Sequence, residues 1–137
     1  MNNYLKAEFS SKSINEGLAR IIVSGFIMPL DPTIEELADI KTAVSEAVTN
    51  SIIHGYEGKD GSVYLELFLE DRELTVKVRD DGIGITDIEQ AREPLFTSKP
   101  ECDRSGMGFT VMESFMDSLH IISEQGLGTT VVMTKKL

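Results

Sequence analysis

The chain has 137 residues and a formal net charge of −10, from 13 Lys and Arg against 23 Asp and Glu. With 41% apolar and 26% charged residues it has an ordinary globular balance, and its length suits one domain, 1–137, rather than two. The acidity excludes DNA or RNA as the main partner, because a phosphate backbone demands clustered Lys and Arg.

Cys102 is the single cysteine, so neither an internal disulfide nor a thiolate-rich zinc site is expected. His54 and His120 are too few and too scattered to suggest a metal cluster. The opening MNNYLKAEFSSKS lacks the apolar core of a signal peptide. No apolar run approaches the roughly 18 residues of a membrane span. A cytoplasmic protein with no membrane contact is expected.

In chain order, Tyr4 to Ser10 reads as an edge strand with Leu5, Ala7 and Phe9 on one face. Ser13 and Glu16 have the spacing of a capping box. Ile14, Leu18, Ile21, Ile22 and Phe26 then predict an amphipathic helix stopped by Pro29. Thr33 and Glu36 offer a second capping box. The longer helix that follows carries Leu37, Ile40, Val44 and Val48 at helical spacing, and Gly55 is its stop. From Ser62 the period changes to two: Val63, Leu65, Leu67 and Leu69 alternate with Tyr64, Glu66, Phe68 and Glu70. After a turn at Asp71-Arg72, Leu74, Val76 and Val78 complete an antiparallel hairpin with one buried face. Asp80 to Arg104 is irregular, with one short helix expected near Asp87 to Arg92. Gly108 to Ser118 reads as a third main helix. Leu119 to Gln125 and Thr129 to Lys135 form a second hairpin around Gly126-Leu127-Gly128. The sum is an α+β, two-layer sandwich with helices on one face of a sheet.

Three short stretches carry the residue types that chemistry needs. Asp80-Asp81-Gly82-Ile83-Gly84 ends a predicted strand. Its glycines let backbone approach a ligand closely, and a carboxylate beside them accepts from an exocyclic amine. A D-G turn that merely closes a strand is the alternative. Ser105-Gly106-Met107-Gly108 precedes the third helix and would feed amides into its N-terminus as an anion site, or simply be a glycine-tightened loop. Neither a P-loop nor a dinucleotide fingerprint occurs. Glu46 and Asn50 lie four apart on the long helix, roughly 40° apart around its axis. Such a pair can act as base and hard-metal ligand, or be a solvated helix face. His54 extends the stripe as a polar neighbour.

The order of these elements resembles the GHKL superfamily of ATPases and kinases, a group with a mixed, mostly antiparallel sheet and an ATP lid. Glu46-Ala47-Val48-Thr49-Asn50 is similar to its N box, Asp80-x-Gly82-x-Gly84 to its first glycine box, and Ser105-Gly106-Met107-Gly108 to its second. Gly128-Thr129-Thr130 is similar to its trailing G-T element. EAVTNSIIHGY, PLFTSKP and RSGMGFTVMESFMD resemble the stand-alone serine protein kinases that serve as anti-sigma factors in sporulation. A helical domain with a phospho-accepting His, as in sensor histidine kinases, is not expected, nor is a transducer domain of the gyrase kind.

The resemblance implies ATP or ADP as ligand, with Mg²⁺ held by Asn50 and bridging the phosphates. Glu46 would be the catalytic base toward a substrate serine hydroxyl, and Asp80 would hold the adenine amine, with Gly82 and Gly84 allowing close approach. Ser105, Gly106, Met107 and Gly108 would wrap the phosphates, Thr130 would contribute near the base, and the loop 94–105 would be the lid. From charge and position, Lys99 and Arg104 are expected beside the transferred phosphoryl group. The implied partners are sporulation sigma factor F, a STAS-type anti-anti-sigma protein phosphorylated on serine, and a second copy of the chain. The first strand and helix are the expected dimer surface. Arg20 is expected to touch a partner, with a solvating role as its alternative. A stress-response paralogue with a different sigma factor, or a non-catalytic nucleotide-switched sequestering module, are the competing functions.

Overall fold

The computed structural model describes residues 2–85, Arg92 and residues 108–137. Strands β1 (Asn2–Ser10), β2 (Ser62–Glu70), β3 (Glu73–Asp80), β4 (Ser118–Glu124) and β5 (Gly128–Lys136) form one sheet in the order β1-β2-β3-β5-β4. Every pairing in it is antiparallel, a simplification of the mixed sheet expected from the sequence. Register follows from alternation. Val63, Leu65, Leu67 and Leu69 are buried on β2, opposite Val76 and Val78 of β3 and Ala7 and Phe9 of β1. A one-residue slip would turn the four β2 side chains to solvent, at a cost on the order of 8 kcal/mol.

Helices α1 (Asn15–Ile27), α2 (Ile34–Asn50) and α3 (Gly108–Phe115) complete the α+β sandwich. Pro29 sits in a 3₁₀ turn, Met28–Leu30, that ends α1. The Thr33–Glu36 capping box forms as expected: Glu36 N–H donates to Thr33 Oγ1 at 3.0 Å, and Thr33 N–H donates to Glu36 Oε1 at 2.8 Å. The backbone hydrogen bond from Thr33 holds the Glu36 carboxyl below its ordinary value. Ile40, Ala43, Val44, Ala47 and Val48 pack α2 onto the core.

Helix α1 departs from expectation twice. The Ser13–Glu16 capping box does not form, and no side chain caps the helix. Glu16 instead reaches across to α2, where Ser45 Oγ and Thr49 Oγ1 donate to its carboxylate at 2.5 and 2.9 Å, joined by Arg20 at 3.0 Å. Two hydroxyls and a guanidinium outcompete one backbone amide. The helix also presents a different face. Ala19, Val23, Phe26 and Ile27 are buried, whereas Ile14, Leu18 and Ile21 are 80%, 43% and 71% exposed. The predicted apolar set therefore contains a second stripe that points away from the core.

Candidate functional site

Helix α2 runs from the cap at Thr33 to Asn50 and then widens into a π-helical turn, Ser51–Gly55, closed by Tyr56 N–H donating to Ser51 O at 3.0 Å. Ser51, at the start of that turn, still has regular helical φ and ψ of −61° and −43° and donates its N–H to Ala47 O. It continues the buried stripe of Val44 and Ala47, is 4% exposed, and its hydroxyl donates to Asp80 at the end of β3. Gly55 lies flat against the same carboxylate, where an added Cβ would stand 2.8 Å from Asp80 Cγ.

Asp80 is the centre of this end of the site. It is 3% exposed, and its carboxylate accepts from Gly82 N–H at 3.0 Å, from the Ser51 hydroxyl and from Thr129 N–H. Burial is the main influence and pushes its pKa above the ordinary 3.8, against those three hydrogen bonds; the charge of Asp81 pushes the same way as burial. Such a carboxylate is an acceptor held in place for a donor ligand. The backbone around it is too close for side chains. A Cβ on Gly82 would lie 2.0 Å from Gly55 O, and one on Gly128 would lie 2.1 Å from Asp80 O. Ile83 N–H donates to Gly55 O at 2.9 Å, so the glycine box is sewn to the π turn. Gly84, at φ +78, packs on Glu124 O. Tyr56 closes the outer side: its hydroxyl donates to Ser62 O at 2.5 Å and accepts from Asp81 N–H at 2.8 Å. Burial raises the phenol's pKa, helped by the charges of Asp80 and Asp81.

One turn back along α2, Glu46 and Asn50 are half-buried and converge on the start of α3. A Cβ on Gly108 would stand 3.0 Å from Asn50 Nδ2, 3.2 Å from Asn50 Oδ1 and 3.3 Å from Glu46 Oε2. Glycine lets the helix approach this pair to contact. The amide oxygen and the carboxylate are hard donors of the kind Mg²⁺ accepts alongside phosphate and water, and the carboxylate can also take a proton. Thus Glu46, Asn50 and Gly108 meet at one end, and Asp80, Gly82 and Gly84 at the other.

Thr130 is not among the residues brought together here. It pairs with Arg79, and that register puts it on the outer face of the sheet, where Arg79 lies 3.9 Å over the Tyr64 ring. The neighbour Thr129 pairs with Asp80 and is buried beside it. A shift of one residue in a strand reverses the face. Arg20 is 43% exposed at its side chain and bonds to Glu16. It lines, with Ser13, Ile14, Gly17, Thr49 and Ile52, a cavity of about 580 Å³ between α1 and the end of α2. Lys99, Arg104, Ser105, Gly106 and Met107, the lid 94–105, and the short helix expected near 87–92 (Arg92 aside) lie outside the described residues. Ser51, Thr129 and Glu16 escaped the sequence reading of the site. Ser51 lies four residues beyond Ala47 and seven beyond Val44, so the helical spacing of the buried stripe was the signal that could have found it.

Residues 17–135 match the family described as histidine kinase-like ATPase domain, and the chain belongs to that family. Within it, the chain is similar to proteins named anti-sigma F factor. It is 60% identical over 138 residues to that of Clostridium perfringens, covering 100% of this chain and 99% of the relative. It is 60% identical over 134 residues to that of Clostridium kluyveri, covering 98% and 94%. With the Bacillus velezensis protein the identity is 58% over 138 residues, covering 100% and 94%.

Proposed function

We propose that the chain is an ATP-dependent serine protein kinase that also sequesters sporulation sigma factor F. The observation that carries the reading is the two-ended site around the C-terminal end of α2: a buried acceptor, Asp80 of β3, at one end and the Glu46–Asn50 pair against Gly108 at the other. Asp80 and the glycine box accept the adenine amine. Asn50 supplies an oxygen to Mg²⁺, which when bound offsets the charge of the phosphates. Glu46 accepts the proton of a partner's serine hydroxyl as that oxygen bonds to the γ-phosphorus and ADP leaves. Lys99 and Arg104 stabilise the charge spread over the transferred group, and Ser105, Gly106, Met107 and Gly108 present amides to the phosphates.

The partners proposed are the sigma factor, which the names of the relatives support, and a STAS-type anti-anti-sigma protein as the serine substrate. Arg20 is the proposed partner contact: it is a half-buried cation beside an open cavity in a chain of net charge −10. The exposed stripe Ile14, Leu18 and Ile21 and the edge strand β1 support a homodimer built on those two elements. No described helix is long and apolar enough to cross a membrane, in keeping with a cytoplasmic site of action. Incubation with γ-labelled ATP and the STAS-type protein should yield phosphoserine and ADP. Wild-type ATP affinity with no phosphoserine would leave the sequestering module as the function. Arg20→Glu should weaken binding of both protein partners.

A further inference from the structure

The hydroxyl of Ser123 lies on the inner side of β4, outside every motif discussed above, yet it touches three parts of the base end of the site. Ile85 N–H, at the end of the glycine box, donates to Ser123 Oγ at 2.7 Å. The same oxygen is 3.1 Å from Gly128 O and 2.8 Å from Thr129 Oγ1. A serine hydroxyl has one proton and two lone pairs. The amide of Ile85 can only donate and the carbonyl of Gly128 can only accept. Of the two ways to place the hydroxyl protons, one makes all three contacts attractive: Ser123 donates to Gly128 O and Thr129 donates to Ser123. The reverse would leave two oxygens, Ser123 Oγ and Gly128 O, facing each other without a proton.

We infer that Ser123 is a specificity-determining positioning residue, which fixes the Thr129 hydroxyl as an acceptor and so selects a 6-amino over a 6-oxo purine. With its proton committed to Ser123, Thr129 Oγ1 offers only lone pairs to a ligand. Asp80, directly across the strand pair, offers only acceptors as well while ionised. An amino group satisfies this buried wall, and a carbonyl oxygen meets it as repulsion. Discrimination of this kind is large, because a buried polar group left unpaired costs its full desolvation. Without the Ser123 oxygen the Thr129 proton is released, and rotation of its hydroxyl gives a guanine carbonyl a donor. The inference rests on the adenine-nucleotide reading of the site.

The test is isothermal titration calorimetry of ATP and GTP, each with Mg²⁺, on wild type, Ser123→Ala, Ser123→Cys and Ser123→Thr. Ser123→Cys keeps nearly the serine volume with a weak acceptor, so it covers the case in which Ser123→Ala fails to fold. The expected result is a preference for ATP in wild type that falls roughly tenfold in Ser123→Ala and Ser123→Cys and returns in Ser123→Thr, whose hydroxyl is intact. An unchanged ATP-to-GTP ratio in the alanine and cysteine variants overturns the inference, since a merely structural role would weaken both nucleotides together. Loss of the ratio in Ser123→Thr as well would assign the effect to packing and overturn it too. Wild type that binds both nucleotides equally overturns this inference alone. Wild type that binds neither overturns the nucleotide reading and this inference with it.

Discussion

The two ends of the site are built from different materials. At the base end, around Asp80, recognition rests on backbone: Gly55, Gly82 and Gly128 pass so close to one another and to the carboxylate that a Cβ would collide at 2.0 to 2.8 Å. At the other end, Glu46 and Asn50 are half-buried side chains on a regular helix, and Gly108 approaches them to contact. A wall of backbone cannot adapt, which suits a ligand whose shape is constant. Side chains on a helix can be exchanged without disturbing the fold, which suits a centre where a proton must move. Binding and chemistry are therefore separable by mutation.

The sharpest separation is expected at Glu46. Glu46→Gln should lower phosphoryl transfer roughly 10²- to 10⁴-fold while leaving the ATP dissociation constant close to wild type, measured by single-turnover phosphorylation beside calorimetry. Loss of ATP binding would make Glu46 part of the binding wall and remove the distinction between the ends. Gly82→Ala should do the reverse. Its Cβ meets a backbone carbonyl with no flexible end to move, and destabilisation of about 3 kcal/mol or more should appear in the urea midpoint, together with loss of nucleotide.

Asp80→Asn should weaken ATP roughly 30-fold in the same calorimetric assay. The sign on stability is opposite. Because burial raises the pKa of Asp80 above 3.8, the folded state holds its proton where the unfolded chain has lost it. The contribution of Asp80 to stability is thus full at low pH and declines as pH rises from 3.8 through the raised value. Urea midpoints of wild type and Asp80→Asn across that range should diverge in favour of the variant as pH rises. Nucleotide affinity of the wild type should fall as pH drops through the same raised value, because a protonated carboxyl loses part of its acceptor capacity. The smallest effect belongs to the far end of the helix. Thr33→Ala removes the capping box and should cost about 1 kcal/mol in thermal unfolding, without changing either end of the site.

The regular parts of this arrangement were open to sequence reasoning. The alternation in Ser62–Glu70 set the buried face of β2, and the four-residue step from Glu46 to Asn50 set their common side of α2. The irregular parts were not. A π turn has no composition of its own, so the widening after Asn50, closed by Tyr56 N–H onto Ser51 O, is not written in the sequence. The capping spacing of Ser13 and Glu16 was sound as local chemistry, but Ser45 and Thr49 lie 29 and 33 residues from Glu16 in the chain. Between Thr129 and Thr130 the sequence offers two identical side chains. Only the pairing of Asp80 with Thr129 decides which one faces the site. The masking of the α1 stripe had a similar origin: Ile14, Leu18 and Ile21 are as apolar as the residues that do pack, and hydropathy does not record which way a helix is rolled.

Tyr56 gives these comparisons an optical readout. The chain has no tryptophan and three tyrosines. Tyr56 alone among them bridges the π turn, the start of β2 and the glycine box, through Ser62 O and Asp81 N–H. Emission from its phenol depends on those two hydrogen bonds. With Tyr4 and Tyr64 replaced by phenylalanine, the intrinsic fluorescence of the protein becomes a label-free signal from the junction between α2 and the sheet, in real time and at native concentration.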